Sequence, residues 1–189
     1  MIQTFLKGKY ETERLIIRPI TLDDANDLFE ISSNQNVVIW MPYEAHKSIE
    51  DSKWVIENLF LTNPANNLPQ YTVMELKENH KMIGCCNFVS VKRGDIGEIG
   101  YQLNYNYWHQ GYMSEAIKKV IEIGFTEIGF RKIEICHMDS NINSQNVIVS
   151  NGFVYEGTSR KEVFDKNKKD FADVKYYGML KEEWERNKK

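Results

Sequence analysis

The chain has 189 residues and a mass of 22.2 kDa, room for one well-filled core. With 42% hydrophobic and 27% charged residues it has globular proportions, which excludes a disordered or fibrous protein. Its 24 basic and 27 acidic side chains leave a net charge of -3, against a dedicated nucleic-acid binder, and no apolar run nears the ~20 residues of a membrane span.

In chain order, Met1 to Tyr10 has no continuous apolar block, so no secretory signal is expected there. Arg14 to Ile20 reads as a first strand. Thr21-Leu-Asp-Asp24 then supplies an N-cap and an acidic first turn for a helix carrying Ala25, Leu28 and Phe29. Ser48-Ile-Glu-Asp51 opens a second helix, with Val55/Leu59 and Ile56/Phe60 as i,i+4 pairs. Between the two, Val37 to His46 is read as irregular. Thr62 to Pro69 is a loop, too short for a domain linker, and no repeat divides the chain, so one domain over 1-189 is expected.

Tyr71 to Lys77 and Met82 to Val91 flank a polar turn in a hairpin pattern, and a further strand runs from Gly97 to Leu103. In that strand Ile99, Tyr101 and Leu103 share one face; Glu98, Gly100 and Gln102 share the other. The clearest helix is Ser114 to Ile128, with Ile117, Val120, Ile121, Gly124, Phe125 and Ile128 on one stripe. Lys132 to Met138 is a β-branched strand, Asn141 to Asn151 a short helix stopped by Gly152, and Phe153 begins another strand. A polar tip at 165-170 separates the last two strands, which end near Leu180. Hairpins followed by a β-α-β crossover predict an α/β fold: a mixed, mostly antiparallel sheet of about seven strands with four helices on both faces.

Three cysteines (Cys85, Cys86, Cys136) form no paired spacing, which suggests reduced thiols and a cytoplasmic protein. The four histidines are scattered without a ligand spacing, so no metal is expected. The most informative segment joins a strand end to a helix start: Leu103-Asn-Tyr-Asn-Tyr-Trp-His-Gln-Gly-Tyr-Met-Ser-Glu-Ala116. Unpaired N–H groups and the positive end of a helix dipole meet at Gly111, which suits an anion; an ordinary strand–helix turn fits the same residues. Neither the P-loop nor the G-x-G-x-x-G fingerprint is present.

That segment, with Ile99-Gly-Tyr-Gln-Leu103 before it, resembles the acyl-CoA-binding signature of the GNAT N-acyltransferase superfamily. Ile135-Cys-His-Met-Asp-Ser-Asn141, Ser144, Asn151-Gly-Phe-Val-Tyr-Glu-Gly157, the closing strand from Asp173 and the opening E-T-E-R-L-I-I-R-P extend the likeness over nearly the whole chain. It points to the RimJ/RimL branch, the ribosomal-protein N-terminal acetyltransferases. Trp108 and Met113 depart from the pattern [QR]-x-x-G-x-[GA], and His109 stands where the branch usually has Gly.

The resemblance implies a cytoplasmic enzyme that uses acetyl-CoA, without a metal, to acetylate a primary amine. The acceptor would be a protein N-terminus or a small amine, by direct transfer in a ternary complex. No nucleic-acid or membrane partner is expected, and the protein would be a monomer or homodimer; a CoA-binding module without catalysis is the rival reading. By the same likeness, Trp108, His109, Gln110, Gly111, Tyr112, Met113 and Ser114 would wrap the pyrophosphate. The edge at Tyr101, Gln102 and Leu103 would pair with pantetheine. Asn141 and Ser144 would face the cofactor arm, although Asn141 also reads as a plain N-cap. The superfamily's tyrosine four residues before Gly-Phe is here Ile148, leaving Ser144 as the thiolate's hydrogen-bond donor. Glu98, acting through a water, is the first candidate base and also reads as a surface or ion-paired strand carboxylate; Glu162 is the second, because related enzymes place a carboxylate in that neighbourhood. Trp40 and Tyr43 would border the acceptor cleft, with core packing the alternative for Trp40. Cys136 reads as packed, and Lys166, Lys168 and Lys169 as a cationic patch on a solvated turn.

Overall fold

The computed structural model describes residues 4–187; Met1 to Gln3 of the opening segment, and Lys188 and Lys189, lie outside it. Its frame is one eight-stranded sheet, in the order β1-β2-β3-β4-β5-β6-β8-β7. The strands are β1 (Tyr10–Glu11), β2 (Leu15–Pro19), β3 (Thr72–Leu76), β4 (Met82–Lys92), β5 (Ile96–Leu103), β6 (Lys132–Met138), β7 (Val154–Asp165) and β8 (Asp170–Leu180). Only β5 and β6 pair in parallel, because the helix between them must carry the chain back across the sheet. The strand beyond the expected seven is β1, two residues long and without any alternation to read.

On one face lie α1 (Ala25–Ser32), the short α2 (Gln35–Val38) and α3 (Ile49–Val55), which runs into a π-helical turn at Ile56–Phe60. Both expected capping boxes form, at Thr21/Asp24 and Ser48/Asp51. The Val37 to His46 stretch is therefore helical at its start, where the Asn34 side chain accepts from the Asn36 N–H. The other face holds α4 (Tyr112–Ile123), continued by a π-helical turn to Ile128, and α5 (Ile142–Ser150); α6 (Lys181–Asn187) closes the described chain.

The core is two-sided over the first half of the sheet. Ile83, Cys86, Ile99, Ile117, Val120, Ile121 and Phe125 form a cluster under α4. Leu28, Ile31, Ile56, Val73, Met82 and Cys85 form a second under α1 and α3. Trp184 of α6 adds its ring to Phe125 at 5.3 Å. No helix among the described residues is long and apolar enough to cross a membrane.

Candidate active site

The site begins where the sheet parts. Pairing between β5 and β6 runs from Ile96↔Lys132 to Ile99↔Ile135 and then stops. Beyond that point Gly100 to Leu103 pair with β4 alone, while Cys136 to Met138 pair with β8. The seam opens into a cavity of about 210 Å³. Tyr101, Gln102 and Leu103 form one wall, the 107–114 turn another, and the first turn of α5, with Asn141 and Ser144, a third.

The turn is built from local bonds. The Asn104 side chain accepts from the Asn106 N–H (3.0 Å) and starts a 3-10 turn, Tyr105–Tyr107. The Trp108 indole N–H then donates to the Leu103 carbonyl (2.9 Å), which bolts the turn to the strand end. Two left-handed residues reverse the chain: His109, with φ 59°, and Gly111, with φ 80°. The second needs glycine's freedom, and a side chain at the first costs about 1–2 kcal/mol, so the branch's usual Gly at 109 is the relaxed choice. The first intrahelical bond of α4 is Glu115 N–H to the Gly111 carbonyl (3.0 Å), so the N–H groups of the turn before it are left for a ligand.

Opposite the turn, Asn141 does cap α5: its Oδ1 accepts from the Ser144 N–H (3.1 Å). The Ser144 and Tyr101 hydroxyls share a hydrogen bond of 2.5 Å, and both line the cavity. Burial raises the Tyr101 phenol above its ordinary pKa, an effect the Ser144 bond partly offsets. The Asn151 side-chain N–H2 donates to Ser114 Oγ (2.9 Å) and ties α5 to α4.

The expected residues do not all meet here. Trp108, His109, Gly111, Tyr112, Met113 and Ser114 line the cavity, whereas Gln110 does not; its carbonyl is turned away to Arg14 (2.9 Å). Trp40 lines the cavity beside Val37 and Met41. Tyr43 stands behind that wall and donates its hydroxyl to Gln102 Oε1, and burial pushes its phenol up to about 12. Lys166 is no solvated cation: its ammonium donates to the Tyr43 carbonyl (2.7 Å) from the β7–β8 tip.

Glu98 and Glu162 lie outside the cavity lining. Glu98 is paired with Lys92 (2.9 Å) and accepts from the Cys136 thiol (3.6 Å). Glu162 accepts from the Tyr176 hydroxyl (2.5 Å), in a bulge of β7 between Ser159 and Val163. Burial and the neighbouring Glu98 charge push the Cys136 thiol up to about 12. Among the described residues no group of three or more His, Cys, Asp or Glu side chains is placed to hold a metal ion.

Sequence reasoning missed Val37, Tyr107, Asn143, Asn146 and Val147 among the lining residues. The first had a signal in its apolar i,i+4 spacing to Met41, beside Trp40. Arg14 was missed as well, since nothing local marks a strand arginine as a partner of a turn 96 residues away.

The family model described as "Acetyltransferase (GNAT) domain" matches residues 14–154. The chain is 32% identical over 177 residues to an uncharacterized N-acetyltransferase, p20, of Bacillus licheniformis, covering 92% of this chain and 96% of that one. Its fold matches a ribosomal-protein-S5-alanine acetyltransferase from Vibrio fischeri with a TM-score of 0.80, at 24% identity over 94% of this chain and 99% of the other. It also matches a spermidine N-acetyltransferase from Vibrio cholerae, solved with CoA and spermine, with a TM-score of 0.79 at 19% identity over 92% and 99%. The family model spans most of the chain and the p20 relative nearly all of it, so the chain, with its parted sheet and the turn at a helix start, belongs to the GNAT family of N-acetyltransferases.

Proposed function

We propose that this single-domain enzyme takes acetyl-CoA as donor and acetylates the α-amine of a protein N-terminus, by direct transfer in a ternary complex. The observation that carries the reading is the seam itself. One cavity holds a strand edge open toward β6, a turn of free amides at a helix N-terminus, and a hydroxyl pair opposite them. These donors suit pantetheine amides, a diphosphate and a departing sulfur in that order along the cleft. Bound acetyl-CoA supplies the activated thioester; every other service falls to the chain's own groups. In this reading the turn at 108–114 binds the diphosphate and Tyr101 to Leu103 receive the pantetheine arm.

Two hydroxyls that share one hydrogen bond leave one O–H spare, whichever of them donates within the pair. Ser144 and Tyr101 thus hold a proton for the leaving thiolate, in place of the tyrosine absent at Ile148. Burial raises all three thiols: Cys85 to about 12, Cys136 to about 12 and Cys86 further, so none offers a ready thiolate for a covalent acyl intermediate. Free thiols also suit a reducing compartment, and we place the enzyme in the cytoplasm.

The choice of an α-amine follows from the base candidates. Glu98 and Glu162 are engaged by Lys92 and Tyr176 outside the cavity, so either would act through an intervening water. A weak base suits an acceptor that loses its proton easily. With a reference pKa of roughly 8, about a tenth of an α-amine is neutral at pH 7; for an alkylammonium near 10.4 the share is roughly one in two thousand.

The test pairs calorimetric titration with CoA against thiol release over a panel of peptides and polyamines. Binding plus turnover on peptide N-termini is the expected result. A polyamine preference would move the acceptor to the small-amine class, and binding without turnover on any amine would leave a cofactor-binding module.

A further inference from the structure

Arg14 opens the sequence-distant side of the turn. Its Nε donates to Glu115 Oε2 (2.8 Å), its guanidinium lies 4.1 Å from the Tyr112 ring centre, and Nη1 donates to the Gln110 carbonyl (2.9 Å). Glu115 is held in turn by the Arg14 backbone N–H (2.8 Å) and the Thr12 hydroxyl (2.5 Å). One arginine in the bend just before β2 therefore grips three features of the loop: the carbonyl before Gly111, the ring after it, and the carboxylate one helical turn on.

The grip has a directional consequence. In a trans peptide the C=O of one residue and the N–H of the next point in opposite directions. No cis peptide occurs among the described residues, so with the Gln110 carbonyl drawn toward Arg14 the Gly111 N–H is aimed the other way. Gly111 lines the cavity and Arg14 does not, so that other way is inward. A charged donor on the carbonyl also polarises the same amide and strengthens its N–H as a donor. We propose that Arg14 is a positioning residue for the nucleotide diphosphate: acting through the Gln110–Gly111 peptide, it aims and strengthens the amide that meets the phosphate oxygens. The loop itself, from Tyr107 to Ser114, carries no lysine or arginine. Its diphosphate affinity accordingly rests on backbone dipoles that something else must hold in place.

The proposal rests on the acetyl-CoA reading above, and its test separates the two. Acetyl-CoA and acetyl-pantetheine share the thioester and both amides, but only the first carries a diphosphate. In Arg14→Ala, KM for acetyl-CoA is expected to rise about tenfold, the loss of one charge-assisted contact of roughly 1.4 kcal/mol, with kcat within about twofold. KM for acetyl-pantetheine should not change. A rise of equal size for both donors would mean that Arg14 merely supports the fold, and would overturn the proposal. If Arg14→Ala does not fold, Arg14→Lys carries the same comparison: it keeps charge and stem but loses the planar fork that reaches Glu115 and Gln110 together. There a donor-selective rise supports the proposal and an equal or absent change rejects it. Wild-type protein that binds neither CoA nor acetyl-CoA would instead remove the cofactor reading, and with it the role for Arg14.

Discussion

The two halves of the sheet are built by different rules. In β3 every residue is buried, because α4 covers one face of that region and α1 with α3 the other. Across the seam, β6 alternates strictly: Ile133, Ile135 and His137 are buried, while Lys132, Glu134 and Cys136 turn to the face that α1 and α3 do not reach. That second face is held by charge. Lys132 bridges Glu134 (2.9 Å) and Glu156 (2.6 Å), and Lys92 bridges Glu98 and Glu134 (both 2.9 Å). One half is a packed block and the other a half-solvated blade, and the proposed site lies where the two part.

The sharpest way to break this contrast is to remove one cation from each half. In the packed half Arg18 is nearly enclosed and binds Asp24 through both oxygens (2.6 and 2.9 Å) while also donating to Glu75. Burial alone would raise both carboxyl pKa values, but the bonds from Arg18 outweigh it and hold them below the ordinary range. Arg18→Ala leaves buried Asp24 with Thr21 alone and buried Glu75 with the exposed His80, and is expected to lose about 3–5 kcal/mol in urea unfolding. Lys132→Ala leaves Glu134 with Lys92, so a loss of about 1 kcal/mol or less is expected. Equal losses would erase the distinction between the halves. The pH dependence carries the same sign. Depressed carboxylates stabilise the folded state above their unfolded pKa near ~4 and lose that contribution as pH falls through the folded value. The Arg18→Ala deficit should therefore be largest near pH 7 and shrink in acid.

A smaller effect, at the seam, tests the hydroxyl pair. Ser144→Ala is expected to lower kcat about 10- to 100-fold and Tyr101→Phe less, with little change in CoA affinity. Because the two act as one donor, the double variant should fall short of the product of the singles. A change below about threefold in Ser144→Ala would take Ser144 out of the role.

What could be read in advance follows the range of the forces involved. Helical periodicity from Ile117 to Ile128, the two capping boxes and the Asn141 cap are local patterns, and each appears in the structure close to where it was read. Residues of the likeness carried by Ile99 to Leu103 and Tyr107 to Ala116 line the cavity at that strand end. Contacts between distant positions left no such mark. Tyr101 meets Ser144 across 43 residues and Arg14 meets Gln110 across 96, and no period in the chain encodes either meeting. The bulge between Ser159 and Val163 hid the facing of Glu162 for a related reason: β7 advances four residues there against two on β8, so the residues inside it follow no two-residue alternation.

The least drastic change probes a tie across the mouth of the cleft. Lys166, on the tip of the solvated half, donates to the Tyr43 carbonyl on the packed half and lies 3.3 Å from Glu44. Tyr43, proposed to border the acceptor, would be loosened directly, whereas Gln102 on the pantetheine wall would feel the change only through the Tyr43 hydroxyl and the diphosphate turn not at all. Lys166→Ala removes one hydrogen bond of about 0.5–1.5 kcal/mol at a partly exposed position, so KM for the amine should rise about 2- to 10-fold. CoA affinity by calorimetry should stay within about twofold, because among the described residues no hydrogen bond or ion pair joins the 107–114 turn to the tip. If both ligands weakened together, the tip would be bracing the whole seam, and the two halves would behave as one body rather than two walls with a joint.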